Sequence, residues 1–425
     1  MGSQSDRSTK DQILLVVDTG LFTHVAEALA PHFKRTDYWS EWARSAFPQE
    51  KHARIGDGLE GIERIQDVYG ALLDGVDLVV FPDVVTAQFA SYCKALGIPT
   101  FGTSKHAAEL ELNRWETRKV IKKLGLPVTD AVRIVGMDDL EKHLKENSDV
   151  FVKYGRYRGD VETFHHEDWF RTEQWFADTA RHLGPGAAEA EFVVESPVDG
   201  VEAGVDSYHV GSWPERVLWG YEQKDAGYVG RVVEFARLPD PLRVTCERIT
   251  PVLTEREHRG FISTECRITE EGVPYLIDPC LRCGSPPSEV QTALTSNLAG
   301  VVSEGARGRL VQPAFVGRFA AEVILRSAFS EEHFLALDIP EKVKDRIKLH
   351  NHCRIDGKDY VVPIGIREIG AAVGTGETLD EAKARALEAA DSVRGYEVEY
   401  DKAAFDDLDA TIEQGKKCGL DWPSK

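Results

Sequence analysis

Two acidic residues frame the chemistry open to this chain. The run Ser263-Thr264-Glu265-Cys266-Arg267-Ile268 alternates in polarity and is expected to form a strand. Glu270 to Gly272 is turn chemistry. Pro274-Tyr275-Leu276-Ile277-Asp278-Pro279-Cys280 then reads as the returning antiparallel strand. Such a hairpin can set Glu265 beside Asp278. Adjacent carboxylates repel unless a cation lies between them, and hard dications such as Mg²⁺ take carboxylate and phosphate oxygens. Arg282, four residues beyond Asp278, could clamp an anion in the same place. Acid-bearing hairpins on solvated faces are common, so the pattern gains weight only from what lies upstream.

Upstream, Lys153 sits in the apolar strand Val150 to Tyr154, where a lysine is costly to bury unless paired. The loop after it, Gly155-Arg156-Tyr157-Arg158-Gly159-Asp160, has the glycines and cations that let a loop close over phosphates. Strand Phe192 to Glu195 runs into Ser196-Pro197-Val198-Asp199-Gly200-Val201-Glu202. This stretch is similar to a hinge that offers backbone groups to a base, followed by an acid for ribose hydroxyls. The plainer reading is a β-turn at Asp199-Gly200 with an exposed Glu202. The basic stretch Asn113 to Lys119 is equally readable as a solvated helix face. Cys280-Leu281-Arg282-Cys283 is a lone pair of cysteines with no second pair to complete a zinc site.

The 425 residues suffice for two or three domains, with 42% apolar and 29% charged side chains, as in ordinary globular proteins. No apolar run approaches a membrane span, and Met1 to Gln12 is polar with no secretory pattern. A net charge of −20 argues against general nucleic-acid binding. Seven cysteines fit a reducing compartment, so a cytoplasmic location is expected.

These residues need elements to position them. Gln12 to Val17 and Val76 to Phe81 read as buried strands, with helices expected over Val25–Phe33, Ile62–Leu73 and Val85–Leu96. Alternating strands and helices imply a small parallel α/β domain. A single amphipathic helix is expected over Leu110–Lys123, another over Asp138–Lys145, and one over Ser288–Val302. Asp225 to Arg231 reads as a glycine-bearing loop. Phe319 begins a β-rich region, and Thr378-Leu379-Asp380-Glu381 is a capping box that opens a late helix.

Taken in order, these segments resemble the ATP-grasp ligases, and among them most resemble phosphoribosylamine–glycine ligases. Thr100-Phe101-Gly102 and the helix after it match the family's link into the fold. The resemblance implies roles for the matched residues. Arg114 (lysine in the family), Lys153, Gly155 and Gly159 would hold ATP phosphates. Glu195 and Val198 would face the adenine, and Glu202 the ribose. Glu265 and Asp278 would hold Mg²⁺ or Mn²⁺. Lys224 and Arg282 would act on the reacting groups, with Gly227 and Gly230 at the acceptor site. Thr23 and Asp83 fall where the family contacts its sugar substrate.

The implied fold class is α/β and α+β. An N-terminal parallel α/β domain (1–110) is expected, then an ATP-grasp domain (111–315) with a mobile lid near 127–195, and a small α+β domain (316–425). The implied reaction joins a small-molecule carboxylate to an amine through an acyl phosphate, in a monomer or homodimer. Three departures stand out. Cys280 falls where the family has a metal-binding Asn, the glycine loop is reduced, and Gly20-Leu21-Phe22-Thr23-His24 replaces a glycine pair with Arg-Glu-His. The amine site is therefore expected to have changed. The alternatives are the parent purine-pathway activity and an inactive nucleotide binder.

Overall fold

The computed structural model describes residues 8–40, 54–156 and 163–422. Its first sheet is wholly parallel. Strand 13–18 lies at the centre, flanked by 35–40 and 78–80, with 62–64 and 100–101 at the edges. A central parallel strand is covered on both faces, so Leu14 to Val17 are all fully buried. Alternation divides them. Leu14 and Val16 face Phe22, Val25 and Leu29, while Leu15 and Val17 face Val68, Ala90 and Cys93.

The second sheet has eight strands in the order 274–280, 259–268, 201–210, 216–223, 227–234, 319–326, 368–376, 347–349. All seven junctions are antiparallel. Helices 240–255 and 379–392 supply its largest core, closed by Trp422 against Trp219 at 4.8 Å between ring centroids. Strands from beyond residue 316 continue this sheet, so the last quarter of the chain shares the central core. A small sheet of strands 352–355, 358–361, 335–338 and 394–395 lies beside it.

Residues 131–195 build a further four-stranded sheet, in the order 131–135, 191–195, 150–154, 163–166. Helices 137–146 and 169–183 cover it, and it has its own core around Leu140, Leu144, Val152 and Phe192.

Several expected elements differ. The helix over 110–123 is two helices, 105–112 and 114–123, broken where the Asn113 side chain accepts from Glu116 N–H and caps the second. Ile62 to Leu73 is a strand, 62–64, followed by helix 68–74, which starts where Asp67 accepts from Gly70 N–H. The helix over 288–302 breaks at Thr295, which bridges to Phe315. The glycine loop at 225–231 is mostly strand 227–234, and the turn is confined to Lys224–Ala226.

Candidate active site

The hairpin forms as the alternation requires. Glu265 pairs directly with Asp278, and Ser263 with Cys280, so Glu265, Asp278 and Cys280 share one face. Ligand atoms of these three lie within 4.8 Å of one another. Glu202 and Glu222 approach from the neighbouring strands. Burial holds the Glu265 carboxyl well above the ordinary carboxylate range, and the charges of Glu202, Asp278 and Glu222 push it further. Such a concentration of anionic groups fits a hard dication. Cys280 adds little to that set. Burial and Asp278 push its thiol pKa up, and a neutral thiol is a poor ligand for Mg²⁺.

Two cavities meet at this wall. One, of about 350 Å³, is lined by Arg114, Thr129, Phe151, Lys153, Glu195, the Ser196-Pro197-Val198 segment and Lys224. The other, of about 230 Å³, is lined by Leu21, Asp206, Tyr228, Cys280, Arg282, Ile366 and Glu368. Glu202, Glu222, Glu265 and Asp278 line both.

Lys153 and Arg114 in the first cavity are held by carboxylates. Lys153 Nζ lies 2.6 Å from Glu195 Oε1. The other oxygen of Glu195 accepts from Arg118 at 2.6 Å and from Thr129 at 3.0 Å. Glu195 is thus a clamp on Lys153, with both of its carboxylate oxygens engaged. Arg114 is buried and reaches Asp278 at 3.5 Å. In the second cavity Arg282 is fixed by Glu111, through Nε at 2.7 Å, and by the Cys283 carbonyl at 2.8 Å. Glu111 also accepts from Leu281 N–H at 2.7 Å, so one buried acid sets both the arginine and the backbone before it.

The other expected site residues among those described line neither cavity. Gly227 and Gly230 are paired strand residues. A Cβ on Gly227 would stand 2.1 Å from the Glu322 carbonyl oxygen, and one on Gly230 would meet Leu218 and Tyr228 at 2.7 Å. They are packing glycines in the sheet and line neither cavity. Thr23 is buried and donates to the Leu349 carbonyl at 2.8 Å. Asp83 accepts from Thr19 Oγ1 at 2.8 Å and from Val85 N–H at 3.3 Å. Gly155 gives its carbonyl to Arg114 N–H and its own N–H to the Glu191 carbonyl. Gly159 and the loop residues 157–160 lie outside the described residues.

Four residues escaped the sequence reading. Arg118 stands one turn beyond Arg114 in the same helix, and that spacing was the available signal. Glu111 and Glu222 carried no signal. Asp206 sits in a strand and accepts from Ser263 and Tyr228, both at 2.5 Å.

No family profile matches the chain. A phosphoribosylamine–glycine ligase of Thermotoga maritima is 32% identical over 145 residues, 32% of this chain and 34% of that protein. The match thus spans about a third of the relative's length. The solved structure of a phosphoribosylamine–glycine ligase from Thermotoga maritima superposes with a TM-score of 0.69 at 17% identity, covering 91% of this chain and 98% of that one. The chain has the ATP-grasp fold. The biotin carboxylase domain of Hydrogenobacter thermophilus 2-oxoglutarate carboxylase, solved with MgADP and bicarbonate, superposes at TM-score 0.67 and 13% identity. It covers 98% of this chain and 100% of its own. Among the described residues no helix is long and apolar enough to cross a membrane.

Proposed function

We propose that this chain is an ATP-dependent carboxylate–amine ligase that works through an acyl phosphate and releases ADP and phosphate. The observation that carries this reading is the meeting of two cavities at one wall of carboxylates. One side has nucleotide-type lining and the other a buried, preset arginine.

In this reading the Ser196–Val198 backbone takes the adenine and Glu202 the ribose. Lys153 and Arg114 leave their carboxylate partners for phosphate oxygens. The substrate carboxylate attacks the γ-phosphorus, an O–P bond forms, and the bond to ADP breaks. The amine then attacks the carbonyl carbon, a C–N bond forms, and phosphate leaves. Arg282 faces the negative oxygen in both steps, and its guanidinium is already oriented by Glu111. Glu265 and Asp278 would hold Mg²⁺, which when bound offsets charge on the phosphate oxygens.

The second cavity bears on the amine. Besides the metal pair it is lined by Asp206, Glu222 and Glu368, with Arg282 the lone cation among the described residues and Leu21 and Ile366 as apolar surface. This lining disfavours a phosphosugar dianion and favours an amine without phosphate. The parent activity is the second reading, favoured by the likeness to the Thermotoga maritima ligase. Ligation of glycine to freshly generated phosphoribosylamine separates the two. Turnover on the order of one to a thousand per second restores the purine-pathway reading. Negligible turnover, with phosphate release on other amines, supports the diverged ligase.

A further inference from the structure

Away from the hairpin, a second set of ligand-type side chains converges. His24 lies on helix 23–29, Glu289 on helix 288–294, and His350 just after strand 347–349. All three are buried, and their ligand atoms lie within 4.8 Å of one another. They come from three distant parts of the chain.

Backbone contacts fix the histidines from both sides. Thr23, before His24, donates to the carbonyl of Leu349, before His350. Asn351 N–H donates to the Gly20 carbonyl at 2.7 Å, and His350 N–H to the Ile369 carbonyl at 3.0 Å. Gly20 has φ +106°, and a Cβ there would stand 2.6 Å from Asn351 Oδ1, so this close approach requires glycine.

The side chains are only partly satisfied by one another. His350 Nε2 lies 2.5 Å from Glu289 Oε1. Ser288 Oγ lies 3.1 Å from Glu289 Oε2 and 3.3 Å from His24 Nε2. Nδ1 of His24 and Nδ1 of His350 are both buried without a hydrogen-bond partner. A His–Glu ion pair accounts for one nitrogen of His350 and leaves these two orphaned. Glu289 meets His350 at Nε2, and His24 turns its own Nε2 to Ser288 beside that carboxylate, so an ion shared by the three would take the two Nε2 lone pairs and a Glu289 oxygen.

We infer that His24, Glu289 and His350 bind a transition-metal ion of the zinc class. Two imidazoles and a carboxylate form a borderline donor set, suited to Zn²⁺ and its neighbours rather than to Mg²⁺. On the other side of the ring, Glu368 Oε1 lies 3.7 Å from His350 Nδ1 and accepts from Ser285 Oγ at 3.5 Å. Glu368 also lines the cavity that holds Cys280 and Arg282, so the ion would sit behind that wall, on the far side of His350, while tying three chain segments together. The site stands apart from the nucleotide reading and is tested without ATP.

The test is metal binding by the full chain. After chelation it is titrated with Zn²⁺ alone, then with Co²⁺ alone, in excess Mg²⁺. About one equivalent of tightly held Zn²⁺ is expected, with a visible Co²⁺ absorption band of low coordination number. His24→Gln and His350→Gln should each weaken Zn²⁺ binding at least about tenfold. Glu265→Gln should leave it unchanged, which separates this site from the hairpin. Absence of stoichiometric Zn²⁺ binding by the unaltered chain overturns the inference, whether or not the variants fold. So does Zn²⁺ binding that both histidine substitutions leave intact.

Discussion

Lys153 is partly buried beside Glu195 and lines the larger of the two cavities, so its charge is available to one anion at a time. Lys153→Ala should weaken ATP binding by about 1.5–3 kcal/mol, the range for a charge-assisted hydrogen bond, and should lower activity with it. Calorimetric titration with ATP checks this; unchanged affinity removes Lys153 from the nucleotide site. The hairpin acids lead to a different pattern. Glu265→Gln removes a carboxyl whose ionisation its neighbours oppose, so the ligand-free fold should keep or gain stability, whereas Asp278→Asn takes the partner from buried Arg114 and should cost stability; in both, turnover should fall steeply and the Mg²⁺ requirement rise. Cys280→Asn, which restores an oxygen ligand, should be tolerated; loss of activity would make the cysteine a working group. Asp206 gives a pH prediction. Burial raises its pKa from 3.8 to about 6, against the pull of its bonds from Ser263 and Tyr228. Between those values the folded state keeps a proton that the unfolded chain releases. Stability from this group therefore falls as pH rises from about 4 to about 6, by on the order of 3 kcal/mol, and is flat above. The charged form is the one that attracts an ammonium group, so activity should drop below about pH 6. In Asp206→Asn that limb should vanish from the pH–rate profile, while any limb set by the amine itself stays.

Helix 114–123 is the element that joins the parts of the site. It carries Arg114 toward Asp278 and Arg118 toward Glu195, and so couples the hairpin to the sheet of residues 131–195. Arg118→Ala should raise the KM for ATP at least severalfold with a smaller change in kcat, because Arg118 holds Glu195 and through it Lys153. A kcat effect of equal size would place Arg118 nearer the reacting atoms. The site hairpin was legible because strand alternation and a Glu-Glu-Gly turn agree, which fixes register and hence the facing of Glu265 and Asp278. The break at Asn113 was hidden because apolar spacing continues through it, while the cap acts through one side-chain oxygen. Gly227 and Gly230 misled because glycine marks both loops and close strand packing, and only the neighbouring strand distinguishes them. Buried acids such as Glu111 and Asp206 were illegible, since their meaning comes from Arg282, Ser263 and Tyr228, far off in sequence.

The whole molecule brings three segments of chain to one wall: the parallel N-terminal sheet, the eight-stranded antiparallel sheet and the sheet of residues 131–195. A ligand that bridges them should stabilise all three together. Mg-ATP at a hundred times its Kd should add about 2.7 kcal/mol to the unfolding free energy, read as a rise in Tm. The acyl-phosphate reaction makes a sharper demand. One oxygen of the substrate carboxylate must leave with the phosphate. The most direct measurement supplies Mg-ATP, amines and a panel of amino acids labelled with ¹⁸O in the carboxylate, and weighs the phosphate released. The account predicts ADP and phosphate carrying one ¹⁸O, formed only when carboxylate and amine are both present. Unlabelled phosphate, or AMP with pyrophosphate, would contradict it.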